Sequence, residues 1–182
     1  MNRQDADTEL IQKHLEGDEK ASQALIETHQ GMVYGLACRM LGHGEEAQDA
    51  AQDIFLQALN ALPRFRGDCA FSTWLYRIAI NGCIARNKLK KRHVITEMDQ
   101  LEDNHPSALE QAALQERDCR LHQAISELGE AYRSVIVLHY FQGLGYGEIA
   151  QVLEVPEGTV KVRLFRAKRL LGRKLKARQI EI

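Results

Sequence analysis

"GYGEIAQVLEVPEGTVKVRLFRAKRLL", residues 145–171, is the stretch on which the architecture turns. Apolar residues at helical spacing run from about Tyr146 to Leu153, and a turn follows at Glu154 to Pro156, where proline suits the first turn of a new helix. Ala150 is small enough to let two helix backbones approach, while Ile149 and Val160 supply a shared core. At 100° per residue, Leu164, Ala167 and Leu171 all fall within about 40° of Val160 and form with it a buried stripe. Lys161, Val162, Phe165, Arg166 and Arg169 occupy the opposite arc. The unit reads as a helix-turn-helix whose second helix is basic and exposed.

The charge on that helix is unusual for this chain. Gly158 to Arg178 holds nine Lys or Arg and no Asp or Glu, although the whole protein has 24 basic and 25 acidic residues and a formal net charge of -1. A solvated helix ordinarily mixes both signs to gain i,i+4 pairs, and this one has none to mix. Its self-repulsion would be relieved by a polyanion, with DNA phosphates as the obvious candidate. Lys161 and Arg166 then reach phosphates or guanine edges, Phe165 and Val162 touch thymine methyls, and Arg133 on "EAYRSVIVLHYF" adds a backbone or base contact.

Working outward, strand patterns are scarce and helical spacing recurs, so the expected class is all-α. Asp7 or Thr8 caps a first helix ending near Gly17. A second runs from about Glu19 to Met40, and a third from Glu45 to Leu62, stopping at Pro63. The fourth follows the turn "FRGDCAFS" and carries Phe71, Leu75, Ile78, Gly82, Ala85 and Leu89 on one stripe, with Ile80 and Ile84 opposite, as expected of a helix at the centre of a bundle. It ends in the basic tip "RNKLKKRH". From Val94 to Gln111 the chain is acidic, lacks an apolar stripe and contains Pro106, which reads as a flexible linker. Shorter helices follow from about Ala112. Two small helical domains are expected, 1–93 and 112–182, joined by the acidic tether 94–111, whose sign allows transient contact with the basic tips on either side.

The first domain offers two further surfaces. "EEAQDAAQDIFLQALNAL" buries Ala47, Ala51, Ile54, Ala58 and Leu62 and turns Asp49, Gln52, Asp53 and Leu56 outward, suggesting a protein-binding patch. "RFRGDCAFSTWLYR" places Phe65, Phe71, Trp74 and Tyr76 among Arg64, Arg66 and Arg77, the kind of interleaving that stacks unpaired bases. Large aromatics usually serve cores, so Phe71 and Trp74 are expected to pack the bundle, and Phe65, in the turn, is the better base contact.

Other functions leave no trace. No apolar run is long enough to span a bilayer, and "MNRQDADTEL" is too polar for a secretory signal, so a cytoplasmic protein is expected. Cys38, Cys69, Cys83 and Cys119 form no C-x-x-C pair and read as reduced thiols, mostly core residues. Cys119 and His122 alone have ligand-like spacing, without a second pair to complete a metal site. There is no phosphate-binding glycine loop, no G-x-S-x-G and no H-E-x-x-H, and neither an enzyme nor a cofactor is expected.

The order "AQDAAQDIFLQALNALPRFRGDCAFSTWLYRIAIN", short linker, "LGYGEIAQVLEVPEGTVKVRLFRAKRLL" resembles the bacterial RNA polymerase sigma factors of the extracytoplasmic-function class, over nearly the whole chain. The resemblance implies a region 2-like first domain that binds the polymerase clamp through Asp49, Gln52, Asp53 and Leu56. That domain would also recognise and help melt the minus-ten element, with Phe65, Arg66, Trp74, Arg77, Asn81, Arg86 and Lys88 on the DNA and a flipped base near Phe65. It implies a region 4-like second domain that reads the minus-thirty-five element through Arg133, Lys161, Val162, Phe165, Arg166 and Arg169 and contacts the polymerase flap. An anti-sigma partner and a stress- or envelope-related regulon are usual in the family. The chain lacks room for the extra domains of housekeeping sigma factors.

Four positions depart from the family pattern. Val162 stands where serine is common, Glu154 where a turn glycine is common, and Gly145 and Gly147 replace a serine and an acid, weakening a helix cap by a few tenths of a kcal/mol. The rival reading is a stand-alone helix-turn-helix regulator, which would bind a duplex tightly by itself, commonly as a dimer. It leaves the Asp49–Leu56 face and the Phe65–Trp74 segment without a role.

Overall fold

The computed structural model describes residues 3–42, 44–96 and 121–177, and within them every regular element is helical. Helix α1 (Arg3–Leu15) leads into α2 (Glu19–Leu41), whose first turn is capped by the Asp18 carboxylate accepting from the Lys20 N–H at 2.9 Å. Asp7 and Thr8, the expected caps of α1, instead lie inside it. The buried Asp7 carboxylate sits 3.0 Å from His29 Nε2 on α2, and the Thr8 hydroxyl donates to the Gln4 carbonyl. The capping rule failed here because Asp7 finds its partner 22 residues away, tying α1 to α2.

Gly42 and Gly44, at φ +113° and +103°, reverse the chain into α3 (Glu45–Ala61). Glycine takes this backbone without the steric penalty of a Cβ. The expected stripe of Ala47, Ala51, Ile54, Ala58 and Leu62 is buried, joined by Ala50 and Phe55. Small residues bring α3 close to its neighbours, and a Cβ added at Gly82 would meet Ile54 at 3.3 Å. A 3₁₀ turn at Leu62–Arg64, holding Pro63, closes α3 and precedes α4 (Phe71–Thr96).

Helix α4 packs on α1, α2 and α3 and is the central helix of the first module. Phe71 and Leu75 of the expected stripe are buried, but Ile78 and Gly82 are half-buried and Ala85 and Leu89 exposed, Leu89 by 54%, while Ala79, Cys83 and Ile80, the last expected on the opposite side, are fully buried. Ala85 and Leu89 line an open groove between α3 and α4, and Glu46 in the first turn of α3 reaches Lys90 without covering them. The helix continues to Thr96, past the Val94 start expected for the linker, most of which lies outside the described residues.

The second module begins with a helix over 121–126 (α5), followed by α6 (Glu130–Ile136), which loosens into a π-helical turn at Val137–Phe141. Next come α7 (Tyr146–Leu153) and α8 (Glu157–Ala177), with α8 packed on both α6 and α7. Ile149, Val160, Leu164 and Ala167 are buried as the helix-turn-helix requires. Between α7 and α8, Glu154 is left-handed at φ 53°, ψ 45°. A non-glycine residue there is destabilised by roughly 1 kcal/mol. Gly145 caps α7 without a side chain, but its N–H donates to the Glu148 carboxylate at 2.7 Å, offsetting part of the missing serine.

The two modules meet. Helix α7 lies against α4, the π turn lies against α2, and the buried apolar residues form one continuous core. Tyr76 on α4 donates to the Gln142 side chain at 3.0 Å, Arg77 pairs with Glu154 at 3.0 Å, and the Arg39 guanidinium stands 4.4 Å from the Phe141 ring centre.

Candidate nucleic-acid interface

Helix α8 presents its predicted outward arc to solvent. Lys161, Val162, Phe165, Arg166 and Arg169 are all exposed, Phe165 by 63% and Val162 by 48%. No other described element covers this ring; Arg169, four residues on along the same helix, stands over it at 5.8 Å from the ring centre. The helix does hold one balancing acid: Glu157, just upstream of the basic run, pairs with Lys161 at 2.7 Å. Hydrogen bonding to that carboxylate raises the Lys161 pKa above its ordinary value, so the ammonium stays charged at neutral pH.

Beside this face lies a cluster that sequence reasoning missed. His139 sits between Tyr140 and Tyr146, ring centres 4.8 and 5.3 Å away, while Lys168 stands over Tyr140 and Lys161 over Tyr146 at 5.9 Å each. The seven-residue spacing of Lys161 and Lys168 was the available signal, since it places both on one side of α8.

Arg133 is displaced from the expected DNA set. It is 7% exposed, and its guanidinium donates to the carbonyls of Met40 at 2.7 Å, Leu128 at 3.1 Å and Ser126. Those carbonyls lie at or just beyond the ends of α2 and α5, where the helical ladder leaves acceptors over, and a planar fork of donors suits them. Asn87 donates to the same Met40 carbonyl at 3.2 Å. Burial lowers the Arg133 pKa, and its Nε finds no partner.

On the first module the expected minus-ten residues separate into three groups. Arg66, Asn81 and Lys88 are exposed. Arg77 and Arg86 are half-exposed and engaged with acids, Arg77 with Glu154 and Arg86 with Asp53. Trp74 is 8% exposed, 5.7 Å from Phe71 by ring centres, and it packs the bundle, so it has no free face for a base in this conformation. Phe65 is half-buried, edge-on to Phe71 at 5.9 Å and 5.2 Å from Trp74, at the rim where the loop leaves the core.

Asp49, Gln52, Asp53 and Leu56 share the exposed side of α3, with Leu56 60% exposed. A shallow groove floored by Ala50, Ile54 and Gly82 runs between this face and α4, and the Asp53–Arg86 and Glu46–Lys90 pairs join α3 to α4 beside it.

The thiols play no visible part. Cys38 and Cys83 are buried and Cys69 half-buried, and burial pushes the Cys83 thiol up to about 12, leaving it protonated and unreactive. Cys119 lies outside the described residues, so the Cys119–His122 pair is not placed. Among the described residues no cluster of three His, Cys, Asp or Glu could hold a metal, and no helix is long and apolar enough to cross a membrane.

Comparison with known proteins agrees with this geometry. Residues 25–93 match sigma-70 region 2 and residues 120–171 match Sigma-70, region 4. The RNA polymerase sigma-H factor of Pseudomonas aeruginosa is 37% identical over 186 residues, spanning 96% of each chain. The ECF RNA polymerase sigma-E factor of Escherichia coli K12 is 36% identical, over 96% of this chain and 97% of that one. Among solved structures, CnrH in complex with the cytosolic domain of CnrY matches with a TM-score of 0.71 at 27% identity, over 94% of this chain and 98% of that one. The sigma factor RpoE from Bartonella quintana, crystallised with the anti-sigma factor NepR, shares the fold with a TM-score of 0.68 at 22% identity, over 85% and 96%.

Proposed function

The chain belongs to the extracytoplasmic-function sigma factors of the sigma-70 family, and from that premise we propose how its surfaces divide the work. A sigma factor confers promoter specificity on core RNA polymerase, which itself makes the RNA. In the proposed division, residues 1–93 bind the clamp and engage the minus-ten element, 94–111 form the linker, and 112–182 read the minus-thirty-five element and meet the flap.

Lys161, Val162, Phe165, Arg166 and Arg169 enter the major groove, where arginine suits guanine edges and the apolar pair suits thymine methyls. The Tyr140–His139–Tyr146 stack holds Lys161 and Lys168 at the margin of that face. Arg66, Asn81 and Lys88 contact the opened strand directly, and Arg77 and Arg86 join them once their acids let go. Phe65, at the edge of the aromatic cluster, supports an extruded base. Capturing unpaired bases offsets an unstacking penalty of a few kcal/mol each. The exposed Leu56, ringed by Asp49, Gln52 and Asp53, serves as the clamp contact.

An anti-sigma factor is the proposed inhibitor, because two structural relatives were solved with partners and one of those partners is named as an anti-sigma factor. The proposed setting is the cytoplasm, with a stress- or envelope-related regulon. The near-neutral net charge of -1 suits a subunit that binds DNA weakly until polymerase carries it there.

The observation that carries this reading is the uncovered α8 face, with Phe165 63% exposed among cations. Run-off transcription with purified core polymerase and a promoter library tests it. The expected result is transcripts from templates sharing two spaced motifs. Tight binding to one duplex site with no transcription on adding core would establish the stand-alone regulator instead.

A further inference from the structure

Helix α1 contributes no side chain to the surfaces proposed above, yet its buried polar residue leads to the base-supporting loop. Asp7 and Ile11, one turn apart, form the buried side of α1. Asp7 is 4% exposed and His29 on α2 is 1% exposed, with His29 Nε2 3.0 Å from the Asp7 carboxyl. Among the described residues His29 Nδ1 has no hydrogen-bond partner, so the ring proton is placed on Nε2, which donates to Asp7.

Such a bond adds little to stability. Two apolar side chains of similar volume would hold α1 on α2 as well, because a buried polar pair loses most of its attraction to desolvation. What they would lack is direction. Apolar contact is indifferent to ring orientation, whereas a hydrogen bond restricts the tilt of the imidazole.

The imidazole passes that orientation on. Its ring meets Phe71, the first residue of α4, at 72° with centres 5.1 Å apart. Phe71 in turn stands edge-on to Phe65 at 5.9 Å, and Trp74 backs both rings. Each of these contacts has a preferred geometry, so turning one ring displaces the next. Helix α1 also packs directly against the 3₁₀ turn Leu62–Arg64, whose Leu62 carbonyl accepts the Phe65 N–H at 2.9 Å. Phe65 is therefore held from α1 by two routes, through a line of rings and through its own backbone.

Building on the reading of Phe65 as the support for an extruded base, we propose that Asp7 and His29 are positioning residues for base capture. Neither touches DNA. Their hydrogen bond sets the imidazole, the imidazole sets Phe71, and Phe71 sets the face that Phe65 offers at the rim of the core.

The test uses the full chain in holoenzyme with core polymerase and a labelled single-stranded oligonucleotide carrying the minus-ten element recovered from the promoter library. Replacing one nucleotide at a time by an abasic site and measuring anisotropy gives the affinity owed to each base. Wild type should show one position at which the abasic strand binds about tenfold more weakly, and Phe65→Ala should lose that difference. Asp7→Leu with His29→Phe keeps the volume and removes the bond. Its urea midpoint should equal or exceed that of wild type, while the abasic difference at the same position shrinks about threefold to tenfold. Asp7→Asn, whose amide oxygen still accepts from Nε2, should recover most of the difference. Asp7→Leu alone carries the same expectation as the double variant and decides the matter if that variant does not fold.

A folded bond-free variant as sensitive to the abasic site as wild type would overturn the proposal. So would an Asp7→Asn variant no better than Asp7→Leu, or failure of both bond-free variants to fold, which would make the pair a requirement of the fold alone. Wild type and Phe65→Ala separate this idea from the reading beneath it. A wild type indifferent to every abasic site, or unaltered by Phe65→Ala, rejects the base-support reading and the proposal with it. A clear Phe65 effect without an effect of the pair rejects the positioning role alone.

Discussion

The outward arc of α8 and the N-terminal half of α4 are both proposed to meet DNA, yet the chain treats them oppositely. On α8 a phenylalanine, a valine and three cations face solvent, and no other element covers them. On α4, Tyr76 and Trp74 are buried and Arg77 is bound to an acid from the other module. Duplex DNA presents itself ready to be read, so its reader can stay open. Unpaired bases exist only after melting, so their binding surface can be withheld until then.

The largest expected effect concerns a residue that joins the two modules, Arg133. Arg133→Ala removes a guanidinium from three carbonyls and should lower stability to urea by about 3 kcal/mol. Arg133→Lys should recover less than half, because an ammonium cannot reproduce the fork. A near-neutral result for alanine would mean that Arg133 does not anchor the interface.

Arg166→Ala should weaken binding of minus-thirty-five duplex by about 10- to 100-fold, with the urea midpoint unchanged because the side chain is exposed. A matching loss of stability would place Arg166 in the fold and not on DNA. Leu56→Asp should weaken core polymerase binding by about tenfold while the duplex affinity of the second module persists. Equal polymerase affinity in variant and wild type would leave the α3 face without its proposed partner.

The smallest effect sharpens the comparison on the open side. Glu157→Gln frees Lys161 from its one carboxylate, and duplex affinity measured by anisotropy should rise about twofold at low salt and converge at high salt. A gain that persists at high salt would have some other origin.

Much of this was legible beforehand where local chemistry decides structure. Gly17, Pro63 and Pro156 mark helix ends, and the Val160, Leu164, Ala167 spacing gave the buried side of α8 and hence its free side. What stayed hidden depends on partners distant in sequence. Asp7 looks like a cap until His29 arrives beside it. Arg133 looks like a DNA contact because its actual partners are backbone carbonyls, which any residue supplies and no motif records. Trp74 among arginines fits both a stacking platform and a core, and only packing against Phe71 and Phe65 distinguishes them. The π turn at Val137–Phe141 has no compositional mark, and without it the place of Gln142 against Tyr76 could not be anticipated.

Glu154 ties backbone comfort to contact between the two modules at a single codon. One base change converts either glutamate codon to glycine, which would relax the left-handed turn while dissolving the hold on Arg77. A lineage could therefore trade an intermodule contact for an easier turn in one mutational step, leaving every exposed side chain of α8 as it was.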